Sequence, residues 1–141
     1  MTDTVNTGLK ILVTDDHMVI RQIILNYLNE MGFKNIDMAS DSEQAQAKIA
    51  EKNYDLIFLD WHMPVKSGYT LLKEYREDRN FDSIAFVMVT AETHEKSVIE
   101  ALKAGATSYI IKPVKKEDFE QKVNRVLEWI KNKTTGKTAS F

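Results

Sequence analysis

The chain of 141 residues is long enough to bury one substantial core, and its composition is ordinary for a globular domain: 43% hydrophobic, 28% charged, net charge −2. That balance offers no basic stripe, so nucleic acid is not an expected partner; with no cysteine there is neither a disulfide scaffold nor thiol catalysis. No apolar run approaches the roughly 18–20 residues of a membrane span, and the polar start MTDTVNTG does not read as a signal peptide, so a monomeric cytoplasmic protein without membrane contact is expected.

Residues 1–8 read as a flexible lead. The first apolar burst, Leu9–Thr14 (LKILVT), is nearly continuous, which predicts a strand buried on both faces, and it ends on Asp15 and Asp16. Ile20, Ile24, Tyr27, Leu28 and Met31 then share one helical face, and Gly32 follows as a stop. Asn35–Ala39 alternates apolar and polar residues and predicts an edge strand. After a short helix near Ser42–Lys52, the continuous run Asp55–Leu59 delivers Asp60, and a turn through Met63–Pro64 follows at once. The pattern then predicts a helix over Gly68–Asp78, a buried strand Ile84–Val89 ending at Thr90, and a helix over Glu92–Ala104 closed by Gly105. A fifth strand, Ser108–Ile111, precedes Lys112–Pro113. Phe119, Val123, Val126, Leu127 and Ile130 mark the last helix, and residues 133–141 read as a flexible tail beyond a domain spanning 9–132. Five strand–helix units in succession predict an α/β fold, a doubly wound five-stranded parallel sheet with five helices.

In open α/β sheets ligands bind beyond the carboxyl ends of the strands, where strand order reverses. Asp15, Asp16, Asp60, Thr90 and Lys112 all stand at such ends. Taken singly each has a plain structural reading: an Asp pair before a helix as an N-cap, Thr90 as the cap of the helix after it, Lys-Pro as a solvated loop, Tyr109 as a half-buried strand aromatic. Taken together they point to one polar edge. Three adjacent carboxylates repel and require a cation, and oxygen ligands with positions left for water and phosphate suit Mg²⁺. A carboxylate beside such an ion is a competent nucleophile for a phosphoryl group, and the transfer then depends on positioning and charge neutralisation, to which Lys112 and the Thr90 hydroxyl are suited. The three histidines, His17, His62 and His94, are too scattered for a zinc constellation.

The motifs VTDD, LDWHMP…G, VTAE and AGATSYIIKP, spread over about Leu9 to Ile130, resemble the receiver domain of bacterial response regulators, in particular its stand-alone, CheY-like chemotaxis type. The resemblance implies a flavodoxin-like sheet of order 2-1-3-4-5 and Asp60 as the phosphoacceptor. Asp16 and Asp60 would ligate Mg²⁺ directly, Asp15 through water, and His62 through its backbone carbonyl. Lys112 would pair with the phosphate and precede a cis proline; Thr90 and Tyr109 would form a coupled switch, Tyr109 passing from an exposed to a buried rotamer. His62 and Glu92 would tune dephosphorylation. The implied function is phosphate acceptance from a histidine kinase, with self-catalysed phosphorylation and dephosphorylation at most and no other enzymatic activity. This would remodel the face of the fourth helix, fifth strand and fifth helix for a chemotaxis or flagellar switch partner. The sequence departs from flagellar regulators at His62, where many carry Asn, at Lys66 and Ser67, and at Glu95 and Val114 on the expected output face.

A phosphatase of the haloacid-dehalogenase type needs a second Asp two residues after its nucleophile, where this chain has His17 and Met18. A flavodoxin-like carrier needs a hydroxyl- and glycine-rich loop after the first strand, and TDDHM would repel a flavin phosphate. Within the receiver reading, the alternative to a chemotaxis messenger is a phosphorelay intermediate or phosphate sink that passes phosphate to a histidine-phosphotransfer domain. Such domains dock on the first helix, where Ile20, Ile23 and Ile24 offer apolar surface.

Overall fold

The computed structural model of the chain describes residues 8–134. The segments expected to be flexible, 1–8 and 133–141, lie outside the described residues except for residue 8 and residues 133 and 134, the last two of which belong to the final helix. Strands and helices alternate: β1 (Lys10–Thr14), α1 (Met18–Glu30), β2 (Asn35–Ala39), α2 (Ser42–Glu51), β3 (Leu56–Asp60), α3 (Gly68–Arg76), β4 (Ala85–Thr90), α4 (Glu95–Lys103), β5 (Ser108–Ile111) and α5 (Lys116–Thr134), with a 3-10 turn at Arg79–Phe81 before β4. All pairings are parallel and the order is β2-β1-β3-β4-β5. The order reverses between β1 and β3, so the carboxyl ends of those two strands, which carry Asp15, Asp16 and Asp60, lie beside the crevice.

Period-two alternation along each strand splits the apolar residues into two layers. Ile11, Val13, Phe58 and Val87 face α1 and α5, against Ile24, Leu28, Phe119 and Val123. Leu12, Ile57, Leu59, Phe86 and Met88 face the other way, onto Ala45 and Ile49 of α2, Leu71 and Leu72 of α3 and Ala101 of α4. β3 and β4 are buried along their whole length, and β2, read as an edge strand, is mostly half-exposed. One half-buried cation ties the second layer together. The Arg76 guanidinium, at the end of α3, donates to the carbonyls of Gly105 (2.9 Å), Phe81 (3.0 Å) and Ile84 (2.8 Å), and lies 4.8 Å from the centre of the Phe86 ring.

Three expectations are corrected. The fourth helix begins at Glu95 with His94 as its N-cap, three residues later than Glu92. Thr90 Oγ1 accepts the Glu92 N–H at 3.1 Å, and this side-chain turn keeps residues 91–94 out of the helix. The isoleucines of α1 are not surplus: Ile24 is buried, and Ile20 and Ile23 pack against the same core. Val114, expected on the output face, is likewise buried in that layer.

Candidate functional site

Strand ends bring the predicted residues to one place. Asp15 follows β1 and is held by its backbone N–H, which donates to the Ala39 carbonyl at 3.1 Å. Asp60 closes β3 in register with Val89 of β4. Thr90 closes β4, and the Lys112 N–H donates to its carbonyl at 2.8 Å, so Lys112 continues the ladder one step past β5. Asp15, Asp60 and Thr90 are buried; Asp16 stands open at the rim. The peptide between Lys112 and Pro113 is cis.

Lys112 is the positive centre of the cluster, with Nζ 2.9 Å from Asp15 Oδ2 and 3.4 Å from Asp60 Oδ1. The contact with Asp15 is an ion pair without hydrogen-bond alignment, and Oδ2 of this buried carboxylate makes no hydrogen bond among the described residues. Burial first, and the charge of Asp15 second, push the Asp60 carboxyl up to about 6 from its ordinary 3.8, against the opposing pull of Lys112. One ligand atom from each of Asp15, Asp16, His17 and Asp60 lies within 4.8 Å of the others. Carboxylate crowding, a buried oxygen without a hydrogen bond and this spacing fit a divalent cation.

The loop after β3 turns back on itself. The Gly68 N–H donates to the Trp61 carbonyl at 2.8 Å, and a Cβ at position 68 would run into the carbonyl of Asp60, so only glycine lets α3 start this close. Trp61 stacks flat on Tyr69, with ring centres 4.8 Å apart, and meets Tyr109 edge-on at 6.4 Å.

Glu92 joins three other predicted residues, Thr90, Tyr109 and His62. Its N–H is accepted by Thr90 Oγ1, its carbonyl accepts the Tyr109 hydroxyl at 3.0 Å, and its carboxylate pairs with His62 Nε2 at 3.0 Å. Tyr109 is therefore in its inward position, 5% exposed, and burial raises its phenol above the ordinary value. The hydrogen bond from His62 holds the exposed Glu92 carboxyl below the ordinary range. His62 itself points outward over the loop, at 67% exposure.

The chain matches the response regulator receiver domain over residues 11–124. It belongs to that family. Chemotaxis protein CheY-3 of Vibrio cholerae serotype O1 is 34% identical over 123 residues, spanning 87% of this chain and 95% of that protein. Chemotaxis protein CheY of Pseudomonas aeruginosa is 35% identical over 120 residues, spanning 85% and 97%. A solved two-component response regulator from Clostridium difficile superposes with a TM-score of 0.76 at 34% identity, covering 86% of this chain and 97% of that one. The flavodoxin-like order expected from the motifs is the observed one. Receiver domains are phospho-accepting signalling domains with an acidic, Mg²⁺-binding pocket, and this receiver has such an acidic cluster. Among its described residues no helix is long and apolar enough to cross a membrane.

One member of the cluster escaped the sequence reading. His17 Nδ1 lies 3.2 Å from Asp15 Oδ1 and 3.0 Å from Asp16 Oδ1, whereas the sequence reading weighed the histidines only as a zinc constellation, for which they are too scattered. Its position directly after the Asp pair was the available signal. The bland reading of that pair as an N-cap is also corrected: Asp15 Oδ1 accepts the His17 N–H at 2.8 Å, one turn ahead of α1, and the N-cap of α1 is His17.

Proposed function

We propose that this receiver accepts a phosphoryl group on Asp60 from the phosphohistidine of a histidine kinase and that the acyl phosphate resets its output face. The single observation that carries the reading is the buried Asp15–Lys112–Asp60 arrangement beside Asp16, with Lys112 Nζ within 3.4 Å of both buried carboxylates. An Asp60 oxygen attacks phosphorus as the P–N bond to the donor imidazole breaks, and the imidazole leaves with that electron pair and takes up a proton. Lys112 is placed to follow the charge onto the phosphoryl oxygens, and the Thr90 hydroxyl to donate to one of them. Asp16 and Asp60, with Asp15 through water and the His62 carbonyl, would hold Mg²⁺, whose charge offsets the carboxylates and the incoming phosphoryl group. Reorienting Thr90 toward phosphate gives up its bond to the Glu92 N–H and frees the backbone at Glu92, whose carbonyl accepts the Tyr109 hydroxyl in the buried rotamer that the switch populates. The switch therefore runs through Glu92 to the face formed by α4, β5 and α5, where a chemotaxis or flagellar switch protein would bind. His62 and Glu92 together cover the loop and set how fast water reaches the acyl phosphate.

The reading as a phosphorelay intermediate or sink has its own support. Met18 and Val19, 66% and 67% exposed at the start of α1, line an open groove with Asp16, Ala91 and Lys112, which suits docking of a histidine-phosphotransfer domain.

The test is phosphate uptake from acetyl phosphate with Mg²⁺, read by intact mass and by Trp61 fluorescence. Wild type should be labelled once and Asp60→Asn not at all; labelling of Asp60→Asn at the wild-type rate would overturn the assignment. Affinity capture with beryllofluoride then separates the outputs. A flagellar switch or chemotaxis protein retained only when activated supports the messenger, and retention of phosphotransfer proteins regardless of activation supports the relay.

A further inference from the structure

His17 is the member of the acidic cluster to which the receiver chemistry assigns no part. Its ring is turned onto the two carboxylates that follow β1, with Nδ1 3.0 Å from Asp16 Oδ1 and 3.2 Å from Asp15 Oδ1. The Asp15 carboxylate is held beside the ring, since its Oδ1 also accepts the His17 N–H at 2.8 Å. Among the described residues the ring makes no other hydrogen bond or ion pair. His17 sits at the N-cap of α1 with no side-chain capping bond, and its side chain is 66% exposed, so neither helix initiation nor packing accounts for its orientation.

We propose that His17 Nδ1 is a further ligand to the divalent ion held by Asp15, Asp16 and Asp60, and that it shifts the preference of the site from Mg²⁺ toward Mn²⁺, Co²⁺ and Ni²⁺. The inference rests on the reading of this cluster as the receiver's metal site. Mg²⁺ is a hard ion that keeps its waters and gains little from exchanging one for an imidazole. Later divalent ions gain more from each nitrogen ligand, following the Irving–Williams order. Facing the carboxylates, Nδ1 carries the hydrogen that they accept; as a ligand, the neutral imidazole holds its hydrogen on Nε2 and offers the Nδ1 lone pair to the ion. The ligand atoms already lie within 4.8 Å of one another, so binding requires no rebuilding of the backbone.

A ring that only offsets carboxylate charge would be displaced by every divalent ion alike, and its removal would change all affinities by one factor. A ligand discriminates. The experiment is calorimetric titration of the full chain with Mg²⁺ and with Ni²⁺, in a His62→Gln/His94→Gln background that leaves His17 as the only histidine. His17→Gln should weaken Ni²⁺ about tenfold or more while changing Mg²⁺ by less than about twofold. With Co²⁺, the visible absorption of the ion should shift on the same substitution. Equal factors for Mg²⁺ and Ni²⁺, or no change for either, would overturn the role of His17. Asp16→Asn separates the two failures: if it leaves Mg²⁺ binding at the wild-type level, the metal-site reading itself is wrong.

Discussion

Asp60 shows at the scale of a residue how a site is held ready at a cost. It is 4% exposed, and burial together with the charge of Asp15 raises its carboxyl from 3.8 to about 6. A raised acid binds its proton more tightly in the native state than in the unfolded one. The native state therefore carries more protons between about pH 4 and pH 6, and stability falls as pH rises through that window. Above it the ionised carboxylate exacts its full penalty; below the unfolded value the penalty is gone. Without divalent ions, Asp60→Asn should be more stable than wild type at pH 7.5 by about 1–3 kcal/mol and should match it near pH 4. Urea unfolding in EDTA at the two pH values checks this, and an equal gain at both would assign the effect to packing rather than charge. Asp15, Asp16, Asp60, Thr90 and Lys112 were legible in the sequence because strand ends of a doubly wound sheet must converge. His17 was not, because only its rotamer distinguishes a ligand from a cap. The place of Glu92 between Thr90, Tyr109 and His62 was also hidden, since two of its three bonds are made by backbone atoms.

Among the elements, the loop between β3 and α3 holds a non-glycine residue at positive φ. The Lys66 N–H donates to the Pro64 carbonyl at 2.8 Å, closing a three-residue turn around Val65, whose φ is 73°. A β-branched residue is disfavoured there, and Val65 is 84% exposed, so packing returns nothing. Val65→Asn, which tolerates this conformation through its short polar side chain, should raise stability by about 1 kcal/mol. A higher urea midpoint with an unchanged slope would show it; an unchanged midpoint would mean that the turn opens at no cost. This strain could not be read from MPVKSG, because nothing in those residues demands a positive φ at valine. The strands were the opposite case: continuous apolar runs flanked by helical patterns leave few alternatives to buried parallel strands. The start of α4 was misjudged because residues 92–97 carry no apolar residue that would mark where the helix begins, while a competing side-chain turn at Thr90 withholds residues 91–94 from it.

Over the whole molecule, the net charge of −2 is modest, but its distribution is not. Three carboxylates gather at one sheet edge around a single lysine, and the two hydrophobic layers beneath hold them there. Lys112 is thus a built-in counter-charge, 15% exposed and shared between Asp15 and Asp60. Lys112→Met keeps much of the aliphatic stem and removes the charge, leaving the buried carboxylates facing one another. In EDTA it should cost about 2–3 kcal/mol, somewhat below the usual penalty for breaking a fully buried pair because the site is open on the Asp16 side. A divalent ion replaces the missing charge. For wild type, Mg²⁺ at roughly ten times its Kd should add about 1.4 kcal/mol by binding the native state alone. For Lys112→Met the same concentration should add more, because the ion no longer shares the carboxylates with an ammonium. Melting temperatures with and without Mg²⁺ measure both shifts. If the variant gains no more than wild type, Lys112 and the ion do not share the same carboxylates, and the charge at this edge is balanced by some other route.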